Sequence, residues 1–236
     1  LKRKGLGFNL EKMFGNYQLE VSFKNEKKDG ARFFGKGFGC SQAWLDVGAC
    51  TTTGAGAVLM LPEPVDSTHR QLEAKLNYSG QNLRLSGGYY GSFYTNNYGS
   101  LRPTIVGGFD NQNGGAQAAD AALAATMGQP MALWPDNQAH QLSLAGNYTF
   151  TPKTRVNFKY AYTHATQHES FSGMGLTGAP AGRGDFGGVI NTTKAQLGFS
   201  THPLHHLHLH GDLAYDGKKN RPPLALYNTF YGCPAG

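Results

Sequence analysis

Between residues 154 and 164 the sequence reads TRVNFKYAYTH, and its character alternates residue by residue. Val156, Phe158, Tyr160 and Tyr162 occupy one set of positions; Arg155, Asn157, Lys159 and Thr163 occupy the other. Successive side chains of a strand point to opposite faces, so this stretch predicts a β-strand with one apolar and one wet face. The same period marks other stretches of the chain. Leu6, Phe8 and Leu10 give a weak first strand. Tyr17, Leu19, Val21 and Phe23 alternate with Gln18, Glu20, Ser22 and Lys24 in the second. Leu72, Leu76 and Tyr78 then alternate with Glu73, Lys75 and Asn77, and Leu83, Leu85, Tyr89 and Phe93 with Arg84, Ser86, Tyr90 and Ser92. Leu142, Leu144, Tyr148 and Phe150 alternate with Gln141, Ser143, Asn147 and Thr149. After the 154–164 stretch come Ala195, Leu197 and Phe199 against Lys194, Gln196 and Ser200. Leu207, Leu209, Leu213 and Tyr215 complete the pattern against His206, His208, His210 and Asp212.

The connections sort these strands into hairpins. Gly15-Asn16, Ser79-Gly80-Gln81, Thr151-Pro152-Lys153 and His202-Pro203-Leu204 have the residue types of tight turns. Long polar segments, 27–65, 96–136 and 168–190, separate one hairpin from the next. Short turns alternating with long loops predict an all-β fold, an antiparallel transmembrane β-barrel with periplasmic turns and extracellular loops. Mean hydropathy is -0.42. No apolar run approaches the roughly 20 residues of a spanning helix, which excludes a helical membrane protein but not a barrel.

On this reading Leu72, Leu76, Leu142, Leu144, Val156, Phe158 and Tyr160 face lipid. Glu73, Lys75, Arg84, Ser143, Arg155, Lys159, Lys194, His206, His208 and His210 face a lumen. Phe14, Tyr17, Tyr78, Tyr148, Phe150 and Phe199 lie beside the turns, as an interfacial aromatic girdle requires. Phe23, Phe93, Tyr160, Tyr162 and Tyr215 form the candidate second girdle. Eight strands close only a narrow barrel filled by its own side chains. The polar load here is too large for that interior, so the 236 residues are expected to be a segment of a larger barrel. A chain that starts at Leu1 and ends FYGCPAG, without a terminal aromatic strand, fits the same expectation.

The formal charge of +6 is scattered, with no dense basic cluster beyond LKRK at the start, and this argues against a nucleic-acid partner. Three cysteines are too few for a disulfide scaffold. Cys40 and Cys50 share one exterior loop in an oxidising compartment and are a candidate disulfide; Cys233 has no evident mate. The chain contains no Cys-x-x-Cys-His, so covalent c-type haem is not expected on it. His206, His208 and His210 are weak metal candidates, because a His-x-His pair needs a third ligand and none is identifiable. The glycine-rich strings at 107–115 and 173–188 lack the strand-to-helix setting of a phosphate loop. AQAADAALAATM, 116–127, is a candidate short helix within a loop. No nucleophile or acid–base pair stands out, so an enzyme is not expected.

Several longer stretches carry a resemblance. NEKKDGARFFG (25–35), LPEPVDSTHRQLEAKLNYSG (61–80), LSGGYYGSFYTNN (85–97), WPDNQAHQLSLAGNYTFTPKTRV (134–156) and HPLHHLHLHGDLAYDGKKNRPP (202–223) together resemble the MtrB/PioB family. The resemblance spans most of the chain, in family order, and the Pro-Asp-Asn-Gln stretch is its most specific part. Trp134 and Ala214 stand where a proline and an arginine are more usual. LRPTIVGGF also lacks the Asn-Pro-Phe that ordinarily follows the Gly-Ser-Phe strand. The resemblance implies an outer-membrane barrel that sheathes a periplasmic multihaem (decahaem-type) c-type cytochrome and supports extracellular electron transfer. Haem would then belong to that partner, and an extracellular multihaem cytochrome is a further candidate partner. A general diffusion porin for small solutes is the alternative.

Overall fold

The computed structural model describes residues 1–39, 56–104, 108–110, 116–118, 128–175, 184–204 and 206–220. Twelve strands follow one another: β1 Lys2–Phe14, β2 Tyr17–Gly39, β3 Gly56–Ser79, β4 Leu83–Asn96, β5 Ser100–Leu101, β6 Gly108–Asp110, β7 Ala116–Ala118, β8 Met131–Ala132, β9 Asn137–Thr151, β10 Thr154–Gln167, β11 Gly188–Leu204 and β12 Leu207–Asn220. Eight of them form one sheet in the order β1-β2-β3-β4-β9-β10-β11-β12, with every neighbouring pair antiparallel. The pairs β5–β8 and β6–β7 are small ribbons inside the excursion between β4 and β9. Among the described residues there is no helix.

The sheet is a single layer. Among the described residues the buried apolar side chains are Leu101, Pro103 and Met174, and all three lie in loop-end segments. Leu72, Leu144, Tyr160 and Leu197 remain exposed in mid-strand, the last at 49%. A soluble sandwich would cover one face with a second layer; here the described residues cover neither face.

The strands are staggered in one direction. Directly opposed residues form a row from Phe14 and Tyr17 through Tyr78, Leu85, Gly146, Phe158 and Leu197 to Leu213. At β2 that row abuts the turn, whereas at β12 it lies about six residues beyond it, a slip of about one residue per strand. With about 3.3 Å per residue and about 4.8 Å between strands, the strands incline about 35° from the normal to the rim of turns. That is the tilt of membrane barrels.

The connections show why the hairpins turn where they do. Gly15 has φ +58, the left-handed conformation that a two-residue hairpin demands, and glycine adopts it without strain. The segment 27–65, expected to be loop, is largely ladder: pairing runs from Tyr17↔Tyr78 to Gly39↔Gly56. Alternation fails there as a signal because this part of the hairpin has no continuous apolar face. Pro62 and Pro64 fall where β3 pairs only with β2, since its pairing with β4 starts at Ser67, so each missing N–H leaves no gap in the sheet. The turn expected at His202-Pro203-Leu204 is instead the end of β11, with a register shift between Thr201 and Leu204. His206 occupies the turn with φ 66, so it does not share a strand face with His208 and His210. Ala116–Ala118, placed in a short helix by composition, is strand β7, and 119–127 lie outside the described residues.

Gly146 sits at the centre of the row. A Cβ there would lie 2.7 Å from Leu85 Cδ2 and 2.9 Å from the Arg84 carbonyl oxygen and the Phe158 ring. Because backbone is among the obstructing atoms, Gly146→Ala is expected to cost about 1–3 kcal/mol. Urea unfolding in detergent, read by the gel-mobility difference between folded and unfolded barrel, measures it; no change in midpoint would contradict this packing.

Candidate functional site

Register divides the sheet into two faces with different chemistry. One carries Phe8, Leu10 and Phe14, then Tyr17 to Phe23 at alternate positions, Leu72, Leu76 and Tyr78, and Leu83, Leu85 and Tyr89. Leu142, Leu144, Tyr148, Val156, Phe158, Tyr160, Leu197, Leu213 and Tyr215 continue it. All seven residues expected to face lipid are on this side. The aromatics beside the turns touch one another: Phe14 stacks on Tyr17 at 5.6 Å, Tyr17 lies 5.0 Å from Tyr78, and Tyr148 meets Phe150 edge-on at 4.6 Å.

The apolar band ends at a definite level. On β2 it stops at Asn25, on β3 at Arg70, on β9 at His140 and on β10 at His164. Eight to nine residues at the tilt above rise about 20–25 Å, close to the height of the outward apolar band of a membrane barrel. At the boundary, polar groups satisfy one another. The Tyr89 hydroxyl and His140 Nδ1 are 2.7 Å apart, and Asn191 Oδ1 lies 2.6 Å from His164 Nδ1 and accepts from the Tyr162 hydroxyl at 3.2 Å.

The opposite face carries Glu73, Lys75, Arg84, Ser143, Arg155, Lys159, Lys194, His208 and His210 together. Hydrogen bonds run across its strands: Gln18 to Glu11 at 2.6 Å, Asn77 to Glu20 at 2.8 Å, Ser86 to Asn77 at 2.6 Å and Gln71 to the Tyr90 hydroxyl at 2.8 Å. Its charge is ordered rather than uniformly basic. Glu11, Glu20 and Glu73 gather on β1–β3, and Asp212 and Asp216 on β12. Lys75 pairs with Glu73 at 2.6 Å, Lys194 with Asp216 at 3.4 Å, and His210 lies 2.5 Å from Asp212. Between those acidic flanks Arg84, Arg155 and Lys159 form no ion pair among the described residues. This central run of free cations was only partly visible in sequence, because pairing depends on register.

At the loop end the polar face meets features the sequence hid. A cleft of about 580 Å³ is lined by Leu133, Ala139, Phe171, Met174, Phe186 and Ile190, apolar residues spread over segments that read as polar loop. Arg32 pairs with the buried Glu63 at 2.6 Å and ties the protruding β2–β3 hairpin together. His202 and His208 contact edge-on at 4.1 Å, but among the described residues no three His, Cys, Asp or Glu side chains converge as a metal site. Cys40, Cys50 and Cys233 lie outside the described residues.

A one-layer antiparallel sheet with barrel-like stagger, an exposed apolar band and a hydrogen-bonded polar reverse defines the class of outer-membrane β-barrel proteins. Residues 1–232 match the family described as outer membrane beta-barrel porin, MtrB/PioB, and the chain belongs to that family. That description names a porin and no reaction. The curated outer membrane protein MtrB of Shewanella baltica (strain OS185) is 30% identical over 147 residues, which cover 62% of this chain and 17% of the relative's own length. A solved structure, the loop L8 deletion mutant of OmpT, an outer membrane protein of Vibrio cholerae, aligns with a TM-score of 0.44 at 12% identity. That alignment covers 92% of this chain and 49% of the other. Membership of that family makes the protein a β-barrel protein of the outer membrane.

Asp66, beyond the apolar band, accepts from the Asn97 side chain at 2.9 Å and pairs with Lys27 at 3.2 Å. The Asn97 bond first, then Lys27, holds its carboxyl below the ordinary carboxylate range. A depressed carboxylate stabilises above its unfolded value of about 3.9 and loses that contribution as pH falls through the folded value. Amide exchange in residues 94–97 should therefore be slower in the unmodified protein than in Asp66→Asn at pH 6, with the two converging as pH falls through the folded value of the carboxyl. A difference that persists unchanged in acid would contradict the assignment.

Proposed function

We propose that this barrel sheathes a multihaem c-type cytochrome and so carries an electron-transfer path across the outer membrane. The family resemblance supports the partner's chemistry, and one observation supports the mode of contact: the unpaired run of Arg84, Arg155 and Lys159 on the polar face. Hydrocarbon about 30 Å thick insulates, so electrons need closely spaced redox centres inside it. A cytochrome's polar surface cannot face lipid, and a barrel wall resolves the conflict by turning its apolar band outward and its polar face toward the partner. Haem propionates are anionic, and free cations opposite them give long-range complementarity. Hydrogen-bonding rows such as Glu20–Asn77–Ser86 suit a wet interface rather than a greasy one. The reading supplies haem from the partner, because this sequence has no Cys-x-x-Cys-His to attach it.

Neutralising the free cations tests it. Arg84→Gln, Arg155→Gln and Lys159→Gln combined should lower cytochrome retention about tenfold, a change of about 1.4 kcal/mol, while membrane insertion stays unchanged. Gentle detergent extraction followed by haem staining and absorbance reads both quantities. A barrel that purifies without multihaem cytochrome and passes small solutes in planar bilayers would instead be a diffusion porin.

A further inference from the structure

We propose that Lys2, Lys4, Lys27 and Arg70 form a docking surface for the phosphate groups of outer-leaflet lipid headgroups. The inference rests on the reading that the apolar face meets lipid. Register puts all four residues on that face: Lys4 is opposite Lys27, Lys2 opposite Asp29, and Arg70 opposite Asn25. Phe8, Phe23 and Leu72 lie next along the same face toward the turns. At the strand tilt derived above, Lys27 and Arg70 stand about 25 Å above the rim of turns, where the apolar band ends. The cations therefore sit at headgroup level and not in hydrocarbon.

Their mutual arrangement calls for an anion. Like charges directly opposed on neighbouring strands repel, yet Lys4 and Lys27 are so placed. Lys27 has Asp66 at 3.2 Å, but Asp66 also accepts from Asn97. Among the described residues Lys4 and Arg70 form no ion pair. Four cations thus face two carboxylates, Asp29 and Asp66. A phosphomonoester brings negative charge and several acceptor oxygens, and a guanidinium engages it with paired N–H donors. At the turn end of β1–β3 the same face offers the aromatics Phe14, Tyr17 and Tyr78, with Lys12 the only cation among them. The two rims are chemically unlike, as they would be if only one meets a leaflet rich in phosphomonoesters.

The test uses the protein reconstituted in phosphatidylcholine vesicles containing bisphosphorylated lipid A or its dephosphorylated form. Lipid retained after mild extraction is counted by mass spectrometry. The phosphorylated lipid should be enriched at least about fivefold over the other. Lys4→Gln, Lys27→Gln and Arg70→Gln combined should abolish the enrichment, while Lys24→Gln with Lys28→Gln, on the opposite face, should keep it. Equal retention of both lipids, or equal loss in both variants, would overturn the proposal. A spin label at Leu72→Cys separates the two readings. Relaxation of that label by oxygen without lipid A enrichment refutes the docking surface alone; a label in water refutes the facing as well.

Discussion

Hydrocarbon offers no partner to a backbone N–H or C=O, so every such group within it must be bonded to another strand or along a helix. This chain has no long apolar helix among its described residues and meets the demand with an eight-stranded antiparallel ladder. The short turns, the one-directional stagger and the absence of a second layer all follow. A ladder meant for a soluble core would need one face covered; one meant for a bilayer needs only lipid. The same constraint bears on β1 and β12, each of which pairs on one side among the described residues. An edge left unpaired in a bilayer is untenable, so within a membrane both edges need a strand to pair with.

Once the ladder is continuous, period-two alternation allows one wall to serve two solvents. Val156, Phe158, Tyr160 and Tyr162 give one face while Arg155, Asn157 and Lys159 give the other, with no cost in backbone bonding. Glycines tune the fit locally: at Gly146, on the apolar face, Leu85 and Phe158 close over the place a side chain would take. On the polar face Gly198 leaves room for the Asn157 amide in the same way. The charges follow the division too. Pairs such as Glu73–Lys75 are satisfied within the wall, which leaves Arg84, Arg155 and Lys159 available to something outside it.

The eight-stranded wall was legible in sequence because a strand with one apolar and one polar face alternates directly. Every residue assigned to the apolar side by parity lies on one face, and nine of the ten assigned to the polar side lie on the other. His206 is the exception: a histidine-rich string alternates through a turn as readily as along a strand, and only the backbone, at φ 66, separates the two. The protruding part of the β2–β3 hairpin escaped for the opposite reason. Outside the band neither face is apolar, so ladder such as Ala31↔Pro64 looks like loop. The apolar cleft around Phe171, Met174 and Phe186 joins residues from separate segments, and no local period connects them.

The central claim is that the face carrying Val156, Phe158 and Tyr160 meets lipid while its reverse meets an aqueous or protein-filled interior. Single-cysteine spin labels placed in turn from 155 to 162, in the protein reconstituted in bilayers, test it most directly. Power saturation with oxygen reports hydrocarbon, and with a water-soluble nickel chelate reports water. Oxygen accessibility should peak at 156, 158, 160 and 162 and fall at the residues between, with the chelate in opposite phase wherever a partner does not shield it. A uniform profile, or oxygen maxima at Arg155, Asn157 and Lys159, would contradict the account.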